Sequence, residues 1–380
     1  MPGTTLHRWL GGVLTMAVVF AACGPGEPAP ESPVPAVAPV ASTRATEPVA
    51  TDADDPAIWV SASDPAASLI IATDKGEIDG GLYVYGLDGR TRQVIGPLDR
   101  PNNVDVEYGL PLGGTTTDIA VVTERRQHRL RVFGLPPDGG ALVDLAPDGI
   151  PVLEGQTGEA AEPMGIGLYK RPSDGAVFAI VAPKTGGTAD YLWQYRLEDE
   201  GQGQVTGTLV RRFGQFSGAR PAPDDPSALE GEIEAVVVDD ALGYVYYSDE
   251  RFGIRKYHAD PDHPDAAREL ATFGTEGYLG DREGLALYAT GDDTGFIVSS
   301  DQVDDGSRLM IYPREGAAGR PHDHSLLTIV PTVADDTDGI DVVATPLPGF
   351  PRGLLVMMNS RDRNFLLYRW EDILPPDGTD

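Results

Sequence analysis

An all-β repeat fold is what this sequence predicts, and three observations predict it. The chain carries 46 glycines and 33 prolines in 380 residues, more breakers than a helical protein tolerates but well suited to short strands joined by turns. Hydrophobic residues make up 41%, enough for a real core and against disorder throughout. One plan of short apolar strands recurs six times along the chain.

In each repeat an acidic residue opens a short apolar strand, a second strand ends in a small polar cluster, and a third runs into aromatic residues. The first reads DDPAIWV, LIIATDK and GGLYVYGL, and the second NNVDVEY, DIAVVTER and RLRVFGL. The third follows as AEPMGIGLY, AVFAIVAPK and YLWQYRL, and the fourth as GEIEAVVVD, YVYYSDE and GIRKYHA. DREGLALY, GFIVSSD and RLMIYPR form the fifth; DTDGIDVVA, GLLVMMNS and FLLYRW form the sixth. With Asp55, Asp105, Glu162, Glu234, Glu283 and Asp341 as register marks, one interval is long, and the acid-, Gly- and Pro-rich stretch from Glu198 to Glu232 reads as a surface insertion that accounts for it. Repeats of roughly 40 to 50 residues with three or four strands are the mark of a β-propeller, so six repeats predict six blades.

The segments flanking the repeats read differently. Residues 1–22 carry Arg8, an apolar run from Trp9 to Phe20, and then Ala21 and Ala22 before the lone cysteine, Cys23: a secretory signal peptide. It resembles a bacterial lipoprotein signal, which implies lipidation of Cys23 and an exported protein anchored at the cell envelope. A soluble secreted product is the alternative. Residues 23–50 hold seven prolines and no aromatic residue, and read as a tether. The propeller is expected over 51–375, with a tail at 376–380.

Lys+Arg number 29 against Asp+Glu 59, a net charge of −30, which excludes a basic nucleic-acid binder. In a propeller the first strand of each blade lines the channel, so the six register acids are expected to crowd at one mouth. Carboxylates so placed repel one another unless a cation lies between them. A single cysteine and six histidines without ligand spacing leave oxygen donors, which select Ca²⁺ over Zn²⁺ or Cu²⁺; His322 and His324 read as solvated surface. Two of only four lysines, Lys75 and Lys184, end the second strand of their blades, and Arg125 ends the same strand of the second blade. Three cations beside bound Ca²⁺ describe a pocket for a dense polyanion.

At these residues the sequence resembles the β-propeller phytases, calcium-dependent alkaline phytases of bacteria. The resemblance is carried by Asp52-Ala53-Asp54-Asp55-Pro56-Ala57-Ile58-Trp59, by Asn102-Asn103-Val104-Asp105, and by Asp336-Thr337-Asp338-Gly339-Ile340-Asp341, and runs from about Thr51 to Ile373. It implies an enzyme that releases phosphate from myo-inositol hexakisphosphate (phytate), taken as its calcium complex, with several Ca²⁺ ions at the mouth. Carried over by motif, it makes Lys75, Arg125 and Lys184 phosphate contacts. It makes Asp54, Asp55, Asn103, Asp105, Glu162, Glu234, Asp249, Glu250, Glu283, Asp336, Asp338 and Asp341 metal ligands, and Glu234, Asp281, Glu283 and Asp341 the catalytic group. Two departures stand out: Gly76 and an insertion from Glu77 to Gly80 replace a second lysine, and Met164 replaces a tyrosine.

The mechanism expected is hydrolysis by a metal-positioned water, since neither G-x-S-x-G nor a P-loop is present. A monomer is expected, touching a membrane only through its lipid. A calcium-dependent propeller lactonase or esterase, and a non-catalytic surface lipoprotein that binds polyanions, are the alternative readings.

Overall fold

Every repeat folds into an antiparallel sheet of four strands, and the second blade carries a fifth. The computed structural model describes residues 1–3, 38–218 and 232–375. The inner strands are Ala53–Trp59, Pro101–Leu112, Pro163–Lys170, Val236–Asp239, Leu285–Ala289 and Ile340–Val343. Their side chains, among them Asp55, Asn103, Asp105, Ile166, Val237, Leu285 and Asp341, line one small channel cavity of about 40 Å³. The six-bladed all-β propeller expected from the repeats is therefore the fold.

Strand alternation builds the core. In the second strand of the third blade, Val177, Ala179 and Val181 pack toward the second blade, while Phe178, Ile180 and Ala182 pack toward the fourth. Six buried apolar clusters result, one at each junction between neighbouring blades. Burying each large apolar side chain contributes about 1.5 to 3 kcal/mol, so the ring is held by its junctions. Glycine is needed where inner strands approach most closely. A Cβ on Gly165 would strike the carbonyl oxygen of Glu234, and one on Gly339 would strike Asp55.

Three sequence expectations change. The repeats suggested three strands per blade, but a fourth lies outside them, such as Thr91–Leu98, which alternates between half-buried and exposed and so lacks an apolar signature. The stretch read as an insertion from Glu198 is sheet as far as Gln215: Ala189–Gly201 and Gln204–Gln215 pair as the outer hairpin of the third blade. Its polar composition reflects an outer edge facing water. The segment expected as a tether over 23–50 joins the propeller before residue 50, because Arg44–Ala45 pairs with Asn364–Arg369 as the outermost strand of the sixth blade. Thr46 N donates to Phe365 O at 2.9 Å, Phe365 N donates to Thr46 Oγ1 at 3.0 Å, and Val49 is buried. A two-residue strand among prolines carries no pattern to read. The signal segment, Cys23 and the 376–380 tail fall outside the described residues apart from 1–3.

Candidate active site

One backbone hydrogen bond repeats at the same end of all six blades and fixes a common set of positions. The residue that ends or follows each second strand donates its N–H to the carbonyl of a residue just before the inner strand. The pairs are Lys75 to Asp52, Arg125 to Arg100, Lys184 to Glu162, Glu250 to Glu232, Gln302 to Asp281 and Ser360 to Asp335, at 2.8 to 3.3 Å. Blades one to three thus fill one equivalent position with Lys75, Arg125 and Lys184, and blade four fills it with Glu250.

Two residues beyond those carbonyls stand Asp54, Asn102 and Met164 on their inner strands and Glu234 and Glu283 just before theirs. In blade six the equivalent is Asp338, displaced by one extra residue where Asp336 adopts a left-handed φ of 48°. This ring corrects the register read from sequence. Asp55, Asp105 and Asp341 lie further along their strands, inside the channel, and Glu162 lies before its strand. An acid sits at nearly every position from 52 to 55, so spacing alone could not choose between them.

The ring holds a dense group of carboxylates. Single oxygens of Glu232, Glu234 and Glu250 lie within 4.8 Å of one another, as do those of Glu250, Asp281 and Glu283, so Glu250 is shared. Burial, then Asp54, drives the Glu234 carboxyl well above its ordinary range; burial, then Glu250 and Glu234, does so for Glu283. Burial, reinforced by Glu232, raises Glu250 to about 8, and burial raises Asp338 to about 7 against the opposing pull of Lys75. Asp54 is almost fully buried, and among the described residues its oxygens have no hydrogen-bond donor apart from the Lys75 ion pair at 2.8 Å.

The cations differ in what they can offer. Lys75 Nζ lies 2.8 Å from Asp54 and 2.5 Å from Asp338, and Gln302 Nε2 donates to the other Asp338 oxygen at 2.6 Å. Burial opposes the Lys75 charge, but Asp54, Asp338 and Glu234 outweigh it and hold the ammonium well above its usual pKa. Lys184 pairs with Glu232 and keeps 23% of its side chain exposed. Arg125 is buried: its guanidinium donates to Asn102 Oδ1 at 3.0 Å and pairs with Glu162 at 3.0 Å. Arg126, which the sequence reading passed over, is 39% exposed and pairs with both Glu162 and Glu77. Its signal was the tandem Arg125-Arg126. Glu232 was likewise missed, though its alternation with Glu234 pointed to one strand face.

Residues 28–373 match the family described as Phytase. The chain belongs to the Phytase family. A curated relative, the 3-phytase of Bacillus subtilis strain 168, is 30% identical over 344 residues, spanning 86% of this chain and 82% of the relative. Among solved structures, a protein from Lactobacillus plantarum shares 15% identity over 82% of this chain and 80% of its own, with a TM-score of 0.48. A calcium-binding protein, regucalcin, from Agrobacterium tumefaciens shares 12% over 88% and 97%, with a TM-score of 0.49. These two likenesses lend no weight to function.

Within this Phytase-family chain, the remaining motif residues are occupied by structure. Asp55 accepts from Val104 N at 2.9 Å, Asp105 from Leu168 N at 2.7 Å, and Asp341 from Ile58 N at 2.7 Å, each binding its blade to the next. Burial raises Asp105 to about 8 and Asp341 to about 7. Asn103 accepts from Asn102 Nδ2 at 2.8 Å and lines the same channel. Asp249, expected as a ligand, is fully buried with both oxygens engaged, by Ser217 and by Arg255 Nε at 3.0 Å. Glu162 is committed to two arginines. Met164 is 1% exposed and faces packing rather than solvent, so a tyrosine there would be overpacked. His324 is buried rather than solvated: Nδ1 meets Pro313 O at 2.7 Å and Nε2 meets the buried Lys256 Nζ at 3.1 Å.

Proposed function

We infer that this protein is a 3-phytase-type phosphoric monoester hydrolase that releases phosphate from phytate at the channel mouth. The observation that carries the reading is the equivalent slot filled by cations in blades one to three and by Glu250 in blade four, around a ring of carboxylates. A phosphate ester needs both: cations for its oxygens and a polarised water for attack.

The donor set suits Ca²⁺. It consists of carboxylate oxygens in two groups sharing Glu250, beside an Asp54 carboxylate that is buried and short of donors. Calcium, when bound, supplies charge neutralisation and a positioned water. Glu232, Glu234, Glu250, Asp281 and Glu283 are the residues that would hold it, with Asp54 and Asp338 on the Lys75 side. Lys75 and Lys184 provide point charges for phosphate oxygens, and Gln302 fixes the Asp338 carboxylate. Arg125 acts from below, orienting Asn102 and Glu162. Asp341 keeps the inner strands aligned rather than meeting substrate.

The test is phosphate release from phytate by the full chain, with Ca²⁺ and then with excess chelator. Release that disappears on chelation supports the reading; none with Ca²⁺ overturns it. Hydrolysis of lactones or carboxylic esters without phosphate release would favour the esterase alternative. We also propose export, with lipid on Cys23 as the anchor. Cys23→Ala should move the protein from the membrane to the soluble fraction, and an unchanged distribution rejects the anchor.

A further inference from the structure

Beside the mouth, on the side of the first two blades, one exposed carboxylate covers an arginine pair. Glu77 Oε1 lies 2.7 Å from Arg100 NH1 and 3.1 Å from Arg126 NH2. More than half of the Glu77 side chain is exposed, and Arg100 and Arg126 reach solvent around it. Arg126 also holds Glu162, which holds Arg125, so the pair adjoins the ring through one carboxylate.

The backbone beside this contact turns left-handed on both segments of chain that meet there. Glu77 belongs to the short insertion, in which Asp79 N donates to Glu77 O at 2.8 Å and Ile78 takes a φ of 70°, a region β-branched residues rarely enter. Arg100, at φ 55°, donates its N–H to Gly76 O at 3.2 Å. An exposed ion pair stabilises a fold very little, so stability is a poor reason for two residues in the left-handed region. Paired guanidinium groups, by contrast, match the oxygens of a phosphate, and a phosphate carries more charge than a carboxylate.

We propose that Glu77 is a built-in competitor whose carboxylate occupies a phosphate-binding subsite formed by Arg100 and Arg126. The inference rests on the phytase reading of the mouth. A substrate bearing several phosphates sets one at the Lys75 and Lys184 side and a second on the arginine pair, displacing Glu77 into solvent. A substrate with one phosphate never reaches the pair. Glu77 therefore taxes the affinity for highly phosphorylated substrates alone.

The test is calorimetric titration of the full chain, in Ca²⁺, with myo-inositol hexasulfate, which carries the same array of anions and resists phosphatase turnover. Glu77→Gln should bind it about three- to tenfold more tightly, Arg126→Gln more weakly by a similar factor, and the double variant no more tightly than Arg126→Gln. KM for an aryl monophosphate should be unchanged by Glu77→Gln. Unchanged or weakened hexasulfate binding by Glu77→Gln, with or without a lowered Tm, overturns the proposal. So does equal tightening in the double variant, which would be a general charge effect. Phosphate release by the parent protein is read separately, so a failed phytase reading and a failed Glu77 assignment give different results.

Discussion

Blades one to three and blade four hold the same backbone hydrogen bond at the mouth but load it with opposite charge, while blade five loads it with the neutral Gln302. Lys75, Arg125 and Lys184 stand on one arc, while Glu250 stands on the other among Glu232, Glu234, Asp281 and Glu283. The difference teaches that the fold supplies a slot and the side chain supplies its charge. Within the cationic arc the slot is not uniform: Lys75 and Lys184 reach the mouth, and Arg125 lies beneath it.

That contrast can be broken in four ways. The largest effect is expected from Arg125→Ala, because it removes a buried guanidinium and leaves Glu162 with Arg126 as its remaining ion pair. A loss of about 3 kcal/mol in unfolding free energy, read by denaturant titration, is expected. An unchanged stability would return Arg125 to the surface group with Lys184.

Next comes Glu250→Gln, which keeps an acceptor for Glu232 N but removes the charge shared by both carboxylate groups. A fall of about 100-fold or more in kcat/KM for phytate is expected, with fold preserved. If it costs no more than a change on the cationic arc, the two arcs are equivalent and the reading of the acidic one fails.

The third prediction concerns pH without calcium. Glu250 at about 8, Asp338 at about 7 and Asp341 at about 7 stand above their ordinary values of 4.5, 3.8 and 3.8, so between those limits the folded chain binds more protons than the unfolded one. Stability must then fall as pH rises through this window, the reverse of a salt-bridged carboxylate. In chelator, Tm should drop between about pH 5 and pH 8; excess Ca²⁺ should abolish most of the slope. A flat profile in chelator would show that the acidic arc is not strained when empty.

Smallest is Lys184→Ala, a partly exposed point charge with one ion-pair partner, Glu232, among the described residues. About tenfold in kcat/KM for phytate is expected, with Tm almost unchanged. Parent-like kinetics would leave Lys75 as the sole lysine of this arc that acts.

Sequence made the six blades legible because each repeats an apolar strand pattern, and it made the charge asymmetry legible because lysines are few. Exact register was not legible. Asp54 and Asp55 are both acidic, and only the hydrogen bonds of neighbouring strands show that Asp54 faces the ring while Asp55 binds the next blade. Arg125 and Arg126 pose the same difficulty: the 3-10 turn at Arg125–Gln127 puts one below and one outside, and composition treats them alike. Outer strands escaped notice because their exposed face carries whatever residues water tolerates.

The strand at Arg44–Ala45 has a consequence in time. It is made before any blade, yet its partner, Asn364–Arg369, is made last. Until the final blade emerges, the ring is an open arc, and Arg44–Ala45 has no strand to pair with. Closure of the ring therefore waits for the sixth blade, when a strand that precedes the first blade pairs with the last strand of the sixth.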